Sequence, residues 1–141
     1  MMRFAFLGSG SEGNSLLIEA GDGASVTRVL LDCGFGIKET ARRLERLGVA
    51  PEQLDAVLVT HEHGDHVGSA YAFAARHKLP VHTSHGTWLA TSHMRGADVA
   101  DVRVCCADHS FSVGGLQIHP YTVPHDAREP LQFVLTDGDA R

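Results

Sequence analysis

Three imidazoles and two carboxylates crowd into six consecutive positions, His61-Glu62-His63-Gly64-Asp65-His66, after the apolar run Ala56–Val59 and Thr60. The apolar run has the length and continuity of a strand buried on both faces. A polar segment this dense cannot continue into a core without partners. It therefore reads as a loop at the strand's carboxyl end, ahead of a helix. Imidazole and carboxylate are the preferred ligands of zinc and similar divalent ions. Gly64 lets the backbone turn sharply enough for ligands on both sides of it to converge. His61 and His63, two residues apart, can point to one place, and Asp65 and His66 to a second place nearby. That is the arrangement of a two-metal site, with ions about 3.5–4 Å apart. The competing reading is a solvated loop in which Asp65 caps the next helix.

The flanking pattern predicts a mixed α/β chain. Arg3–Leu7, Leu16–Glu19 and Arg28–Leu31 read as strands, the last two joined through Gly21-Asp22-Gly23 as a hairpin. Between the first two lies a glycine- and serine-rich loop, Gly8–Asn14. It lacks the P-loop pattern, but its amides could cradle an anion, with Ser9, Ser11 and Asn14 as contacts. Ile37, Ala41, Leu44 and Leu47 fall at helical spacing, and Gly48 stops the helix. Further helices are predicted over 69–76 and 87–94. Strands are predicted over 80–82, 102–106, 116–120 and 132–136, with a hairpin turn at Gly114-Gly115. Trp88 and Leu89 are assigned to the core, and Cys105-Cys106 are read as small buried hydrophobes.

The 141 residues amount to one domain, with a net charge of −5 when histidine is neutral. That balance argues against a broadly basic nucleic-acid binder and for a localised site. No apolar run reaches the roughly 18 residues of a membrane span, and Met1–Gly8 lacks the pattern of a signal peptide. Three cysteines exclude a multi-disulfide framework. A cytoplasmic protein with no membrane partner is the expectation. Ten histidines nearly match the twelve lysines and arginines. Six of them (His77, His82, His85, His93, His109 and His119) show no pairing at metal spacing with the main loop.

His61-x-His63-x-Asp65-His66 after an apolar strand resembles the signature of the metallo-β-lactamase fold superfamily. Leu31-Asp32-Cys33-Gly34 is similar to that family's Asp-x-Gly step, and Val123-Pro124-His125-Asp126 to its next metal-binding histidine. The opening Phe6–Ser15 resembles the narrower WalJ/YycJ-like branch of bacterial metallo-hydrolases, related to nucleases and phosphodiesterases. The resemblance implies an αββα sandwich, an α+β arrangement of which residues 1–141 would form the amino-terminal part. It implies His61, His63 and His125 at one metal, and Asp65 and His66 at the second, these two being the catalytic candidates. Asp32 is then better placed to order the histidine loop than to hold metal, while capping the Gly34–Gly36 turn stays an equal alternative. Glu62 is expected to face solvent and Asp126 to act as a turn residue or to orient His125. Asp137 and Asp139 are set aside as turn residues, because the family's bridging aspartate is expected one strand later.

The function so implied is a dinuclear metal-dependent hydrolase that uses a metal-bound hydroxide. A phosphodiesterase or exonuclease acting on DNA or RNA is the first expectation. Two divalent ions are required, zinc first, with manganese or iron as alternatives. The rival readings are a truncated metal-binding fragment with no catalysis of its own, or a hydrolase of another ester, a thioester or a β-lactam.

Overall fold

The computed structural model describes residues 1–22, 25–123 and 129–138. Six strands form the first sheet: β1 (Met2–Gly8), β2 (Ser15–Asp22), β3 (Ser25–Leu31), β4 (Ala56–Leu58), β5 (Pro80–Thr83) and β6 (Asp101–Val104), in that spatial order. β1, β2 and β3 are antiparallel neighbours, whereas β3 through β6 run parallel. A second sheet holds β7 (Phe111–Val113), β8 (Leu116–Thr122) and β9 (Leu131–Thr136), all antiparallel. The helices are α1 (Ile37–Arg46), α2 (Gly64–Val67), α3 (Ala70–His77) and α4 (His85–Thr91), with a 3-10 turn at Pro51–Gln53.

Period-two alternation explains why the first sheet is covered on both faces. Leu17, Leu30, Val57, Val59 and Val81 point to the helices, where they meet Leu44, Val67, Tyr71 and Phe73. Ile18, Ala20, Val29, Ala56 and Leu58 point the other way and meet Leu116, Ile118 and Leu135 of the second sheet. The result is helices on sheet on sheet, three of the four layers expected. Val29, Leu30, Val57 and Leu58 have no solvent exposure at all. Each such side chain contributes about 1.5–3 kcal/mol relative to an exposed position, so the two central parallel strands are the most firmly held part of the chain. Beyond the second sheet, Phe4 and Phe6 of β1 remain 70% and 65% exposed.

Most expected elements are present, with ends displaced by a few residues. α4 begins at His85 rather than Thr87 because the Ser84 side chain caps it, accepting from the Thr87 N–H at 3.1 Å. Trp88 packs edge-on against Tyr71, at 5.6 Å between ring centroids. Leu89, expected in the core, is exposed, since the next position on a helix turns about 100° away. Cys105 is buried but Cys106 is exposed, because successive residues of an extended chain face opposite ways. Among the described residues, no helix is long and apolar enough to cross a membrane.

Candidate metal centre

The carboxyl ends of two parallel strands build the site, the usual position for ligands in such sheets. β3 delivers Asp32 and β4 delivers Thr60 and the histidine loop. Asp32 is buried and left-handed, with φ 62°, a conformation that Asp and Asn tolerate better than most residues. Its Oδ1 accepts from the Thr60 N–H at 2.8 Å. The Thr60 hydroxyl lies 2.9 Å from Oδ2 and 3.1 Å from Oδ1. His66 Nδ1 lies 2.7 Å from Oδ2. The strand-end aspartate thus orders the histidine loop, as its sequence position suggests.

This network fixes two imidazole tautomers by elimination. An ionised carboxylate only accepts, so the Thr60 hydroxyl proton goes to Asp32. The same hydroxyl oxygen, 2.8 Å from His61 Nδ1, is left to accept from that nitrogen. His66 Nδ1 likewise donates to Asp32. In both rings the lone pair then resides on Nε2, the atom a metal would need. Hydrogen bonding to Asp32 raises the His66 pKa above its ordinary value, against the opposing effect of burial.

The three imidazoles cluster tightly. His61 lies 4.7 Å from His63 and 4.2 Å from His66 between ring centroids. Asp65 Oδ2 is 3.7 Å from His66 Nε2. Asp65 does not cap a helix: α2 starts at Gly64, its N-cap is His63, and no side chain caps it. Glu62, expected to face solvent, is half-buried. His125 and Asp126 lie outside the described residues, as does Asp139. Asp137 Oδ2 pairs with the terminal amine of Met1 at 3.3 Å.

The fit to metal is chemical rather than complete. Among the described residues no group of three or more His, Cys, Asp or Glu is placed to hold a metal ion. The donors are nonetheless of the right kind, adjacent, and backed by a buried carboxylate that directs their protons away from Nε2. Of these donors, His61 and His66 line a 270 Å³ cleft together with Asp32 and Thr60, with Ser9 and Asn14 also on its wall.

Two supports of the loop escape sequence reading. Asn14 donates its Nδ2 to Asp65 Oδ2 at 3.0 Å and to the Asp65 carbonyl at 3.1 Å, and its N–H reaches that carbonyl at 2.7 Å. The glycine loop is therefore a clamp on Asp65, 51 residues away in sequence. Gly13 lies flat on Phe35, where a Cβ would come within 2.6 Å of the ring. Gly34 passes so close that a Cβ would stand 1.9 Å from the Asp65 carbonyl oxygen. A glycine after a strand-end Asp is the only trace of this contact in the sequence.

Comparison with known proteins extends the picture. A profile of the Metallo-beta-lactamase superfamily matches residues 8–100. The chain is 28% identical to Exodeoxyribonuclease YycJ of Bacillus anthracis, over 99% of this chain and 52% of that protein. It is 29% identical to Exodeoxyribonuclease WalJ of Streptococcus pneumoniae, over 97% of this chain and 51% of that protein. The chain thus spans about half the length of these curated relatives. Among solved structures, the metallo-beta-lactamase fold protein YhfI from Bacillus subtilis superposes with a TM-score of 0.74 at 21% identity. That match covers 99% of this chain and 60% of YhfI.

Proposed function

The chain belongs to the metallo-beta-lactamase superfamily, and from that premise we propose that it carries the metal loop of a hydrolase that cleaves phosphodiester bonds in nucleic acid. The observation that carries this reading is the three-imidazole cluster beside Asp65, in which Thr60 and Asp32 direct the protons of His61 and His66. The names of the relatives, exodeoxyribonucleases, support the choice of substrate.

His61 and His63, joined by His125, would hold one divalent ion, and Asp65 and His66 the second. Zinc is the first choice for such donors, and manganese or iron also suit them. When bound, the ions would supply an acidified water and polarise the oxygen of the bond under attack. The chain's own residues do the rest. Asp32 and Thr60 hold Nε2 of His66 and His61 as lone-pair donors toward the cleft. Asn14 keeps the Asp65 carboxylate oriented and in place. Ser9, on the cleft wall, would contact a phosphate oxygen. No serine or cysteine is arranged as a nucleophile beside this cleft among the described residues.

The test uses bis-p-nitrophenyl phosphate and the full-length, zinc-loaded protein. Asp65→Asn should lower turnover by two orders of magnitude or more, because an amide cannot balance ligand charge, while circular dichroism stays unchanged. Unaltered turnover in that variant would remove Asp65 from the site and refute the reading.

A further inference from the structure

A second concavity begins where the histidine loop ends. Gly68 and Ser69, directly after α2, are among the residues that line a 710 Å³ groove. Residues from the start of α1 (Ile37, Lys38, Glu39), from α3 (Ala72, Arg76) and from the segment after α4 (Met94, Arg95) complete its wall. Three cations line it: Lys38, Arg76 and Arg95. All three are exposed, and none is ion-paired to another described residue. The one carboxylate on the wall, Glu39, is held by Arg42 at 2.5 Å and Arg43 at 2.7 Å. Those contacts pull its pKa down to about 2, so its charge is permanent but already matched. Ile37 and Met94 supply apolar surface between the cations.

This segregation matters because the chain as a whole carries a net charge of −5. An acidic protein gains nothing for solubility by gathering unpaired cations in one groove. Such a groove raises the local potential and attracts a linear polyanion. Its apolar side chains, Ile37 and Met94, offer van der Waals contact to the sugars of a strand.

We propose that this groove is the track on which a nucleic-acid strand lies as it enters or leaves the metal loop, its phosphates held by Lys38, Arg76 and Arg95. The proposal rests on the phosphodiesterase reading for the nature of the ligand. It adds a binding surface on the helical face of the sheet, separate from the cleft that holds the imidazoles. Three neutralised phosphates on a single strand give a salt slope of about −2, so affinity falls roughly 20-fold between 50 and 200 mM salt.

The test measures fluorescence anisotropy of labelled twelve-nucleotide DNA and RNA strands with phosphorothioate linkages that resist cleavage. The protein is full-length and zinc-loaded. One variant carries Lys38→Gln, Arg76→Gln and Arg95→Gln. A control carries Arg3→Gln, Arg46→Gln and Arg103→Gln, which change net charge by the same amount at exposed positions elsewhere. The groove variant should bind at least one of the two strands tenfold more weakly or worse, with a salt slope about 2 shallower. The control should stay within about twofold of the parent, and both should melt as the parent does. Parent-like binding by the groove variant would overturn the proposal, as would an equal loss in the control. Displacement of the strand by poly-glutamate at equal charge concentration would also overturn it, in favour of an acidic protein partner. Turnover of bis-p-nitrophenyl phosphate, too small to reach the groove, is measured alongside. Its absence in the parent counts against the hydrolase reading alone, whereas its persistence beside unaltered strand binding counts against the groove alone.

Discussion

Replacing Asp32 with asparagine changes two atoms' charge and proton content and almost nothing else. Asn is nearly isosteric with Asp and tolerates the left-handed backbone at φ 62° equally well. The consequences follow from counting donors. Asp32 now accepts from the Thr60 N–H at 2.8 Å, the Thr60 hydroxyl at 2.9 Å and His66 Nδ1 at 2.7 Å. An amide offers one accepting oxygen and one NH2 group. With its oxygen toward the Thr60 N–H, the NH2 faces His66 Nδ1, which must become an acceptor. The ring proton then moves to Nε2 and blocks the nitrogen proposed to bind metal. With the amide flipped, the NH2 opposes the Thr60 N–H and leaves a buried donor unsatisfied, at a cost of about 1–3 kcal/mol. Disturbing an outer partner of a metal-binding imidazole costs about 10–100-fold in metal affinity. Zinc affinity should therefore fall by that factor, read by competition with a chelating dye. The metal-free melting temperature should fall by roughly 5–10 °C for a domain of this size. An Asp32→Asn protein with both the parent's zinc affinity and the parent's melting temperature would refute the tautomer argument.

Other consequences are as specific. Gly34→Ala drives a methyl group into the Asp65 carbonyl. It should destabilise the protein by about 3 kcal/mol or more, measured by urea unfolding. Asn14→Ala removes two side-chain hydrogen bonds to Asp65 and should cost about 1–2 kcal/mol, with turnover falling more than zinc content because the loop stays but Asp65 loosens. His82 sits buried against Phe111, its Nε2 without a hydrogen-bond partner among the described residues. Burial first, and Arg103 second, lower its pKa to about 4. The folded state thus binds fewer protons than the unfolded chain, whose histidine titrates near 6.5. The stability this neutral ring contributes is complete above about pH 6.5 and is lost as pH falls toward 4. His82→Phe should flatten the stability profile in that window by nearly one proton, and an unchanged slope would show that His82 is not buried neutral.

The parts of this architecture that are written locally were legible in the sequence. Ala56–Val59 announces a strand through its own composition, and the histidine loop follows it without interruption, so strand end and donors share one short segment. Asp32 stands at the end of its own strand, and its role followed once the two strands were placed side by side. What was illegible depends on approaches between distant segments. The Asn14 clamp joins residues 51 apart, and a serine- and glycine-rich loop carries no mark of the carboxylate it will hold. Gly34 looks like a turn residue until the Asp65 carbonyl is seen against it. The basic groove gathers Lys38, Arg76 and Arg95 from three separate segments, while composition registers only a negative total. Cys106 and Leu89 were misplaced for a simpler reason: residue type favoured burial, but the geometry of a neighbouring buried residue turned them outward.

The claim on which the rest depends is that His61 and His63 hold a metal ion, and metal content tests it most directly. The full-length protein, purified without a histidine tag and incubated with zinc and manganese, is analysed by mass spectrometry after exhaustive buffer exchange. The parent should retain about two equivalents of divalent metal. The His61→Ala, His63→Ala double variant should lose most of that metal, while His85→Ala, altered at an exposed position on α4, should keep it. A folded parent that stays metal-free, or a double variant that retains the parent's metal, would contradict the account.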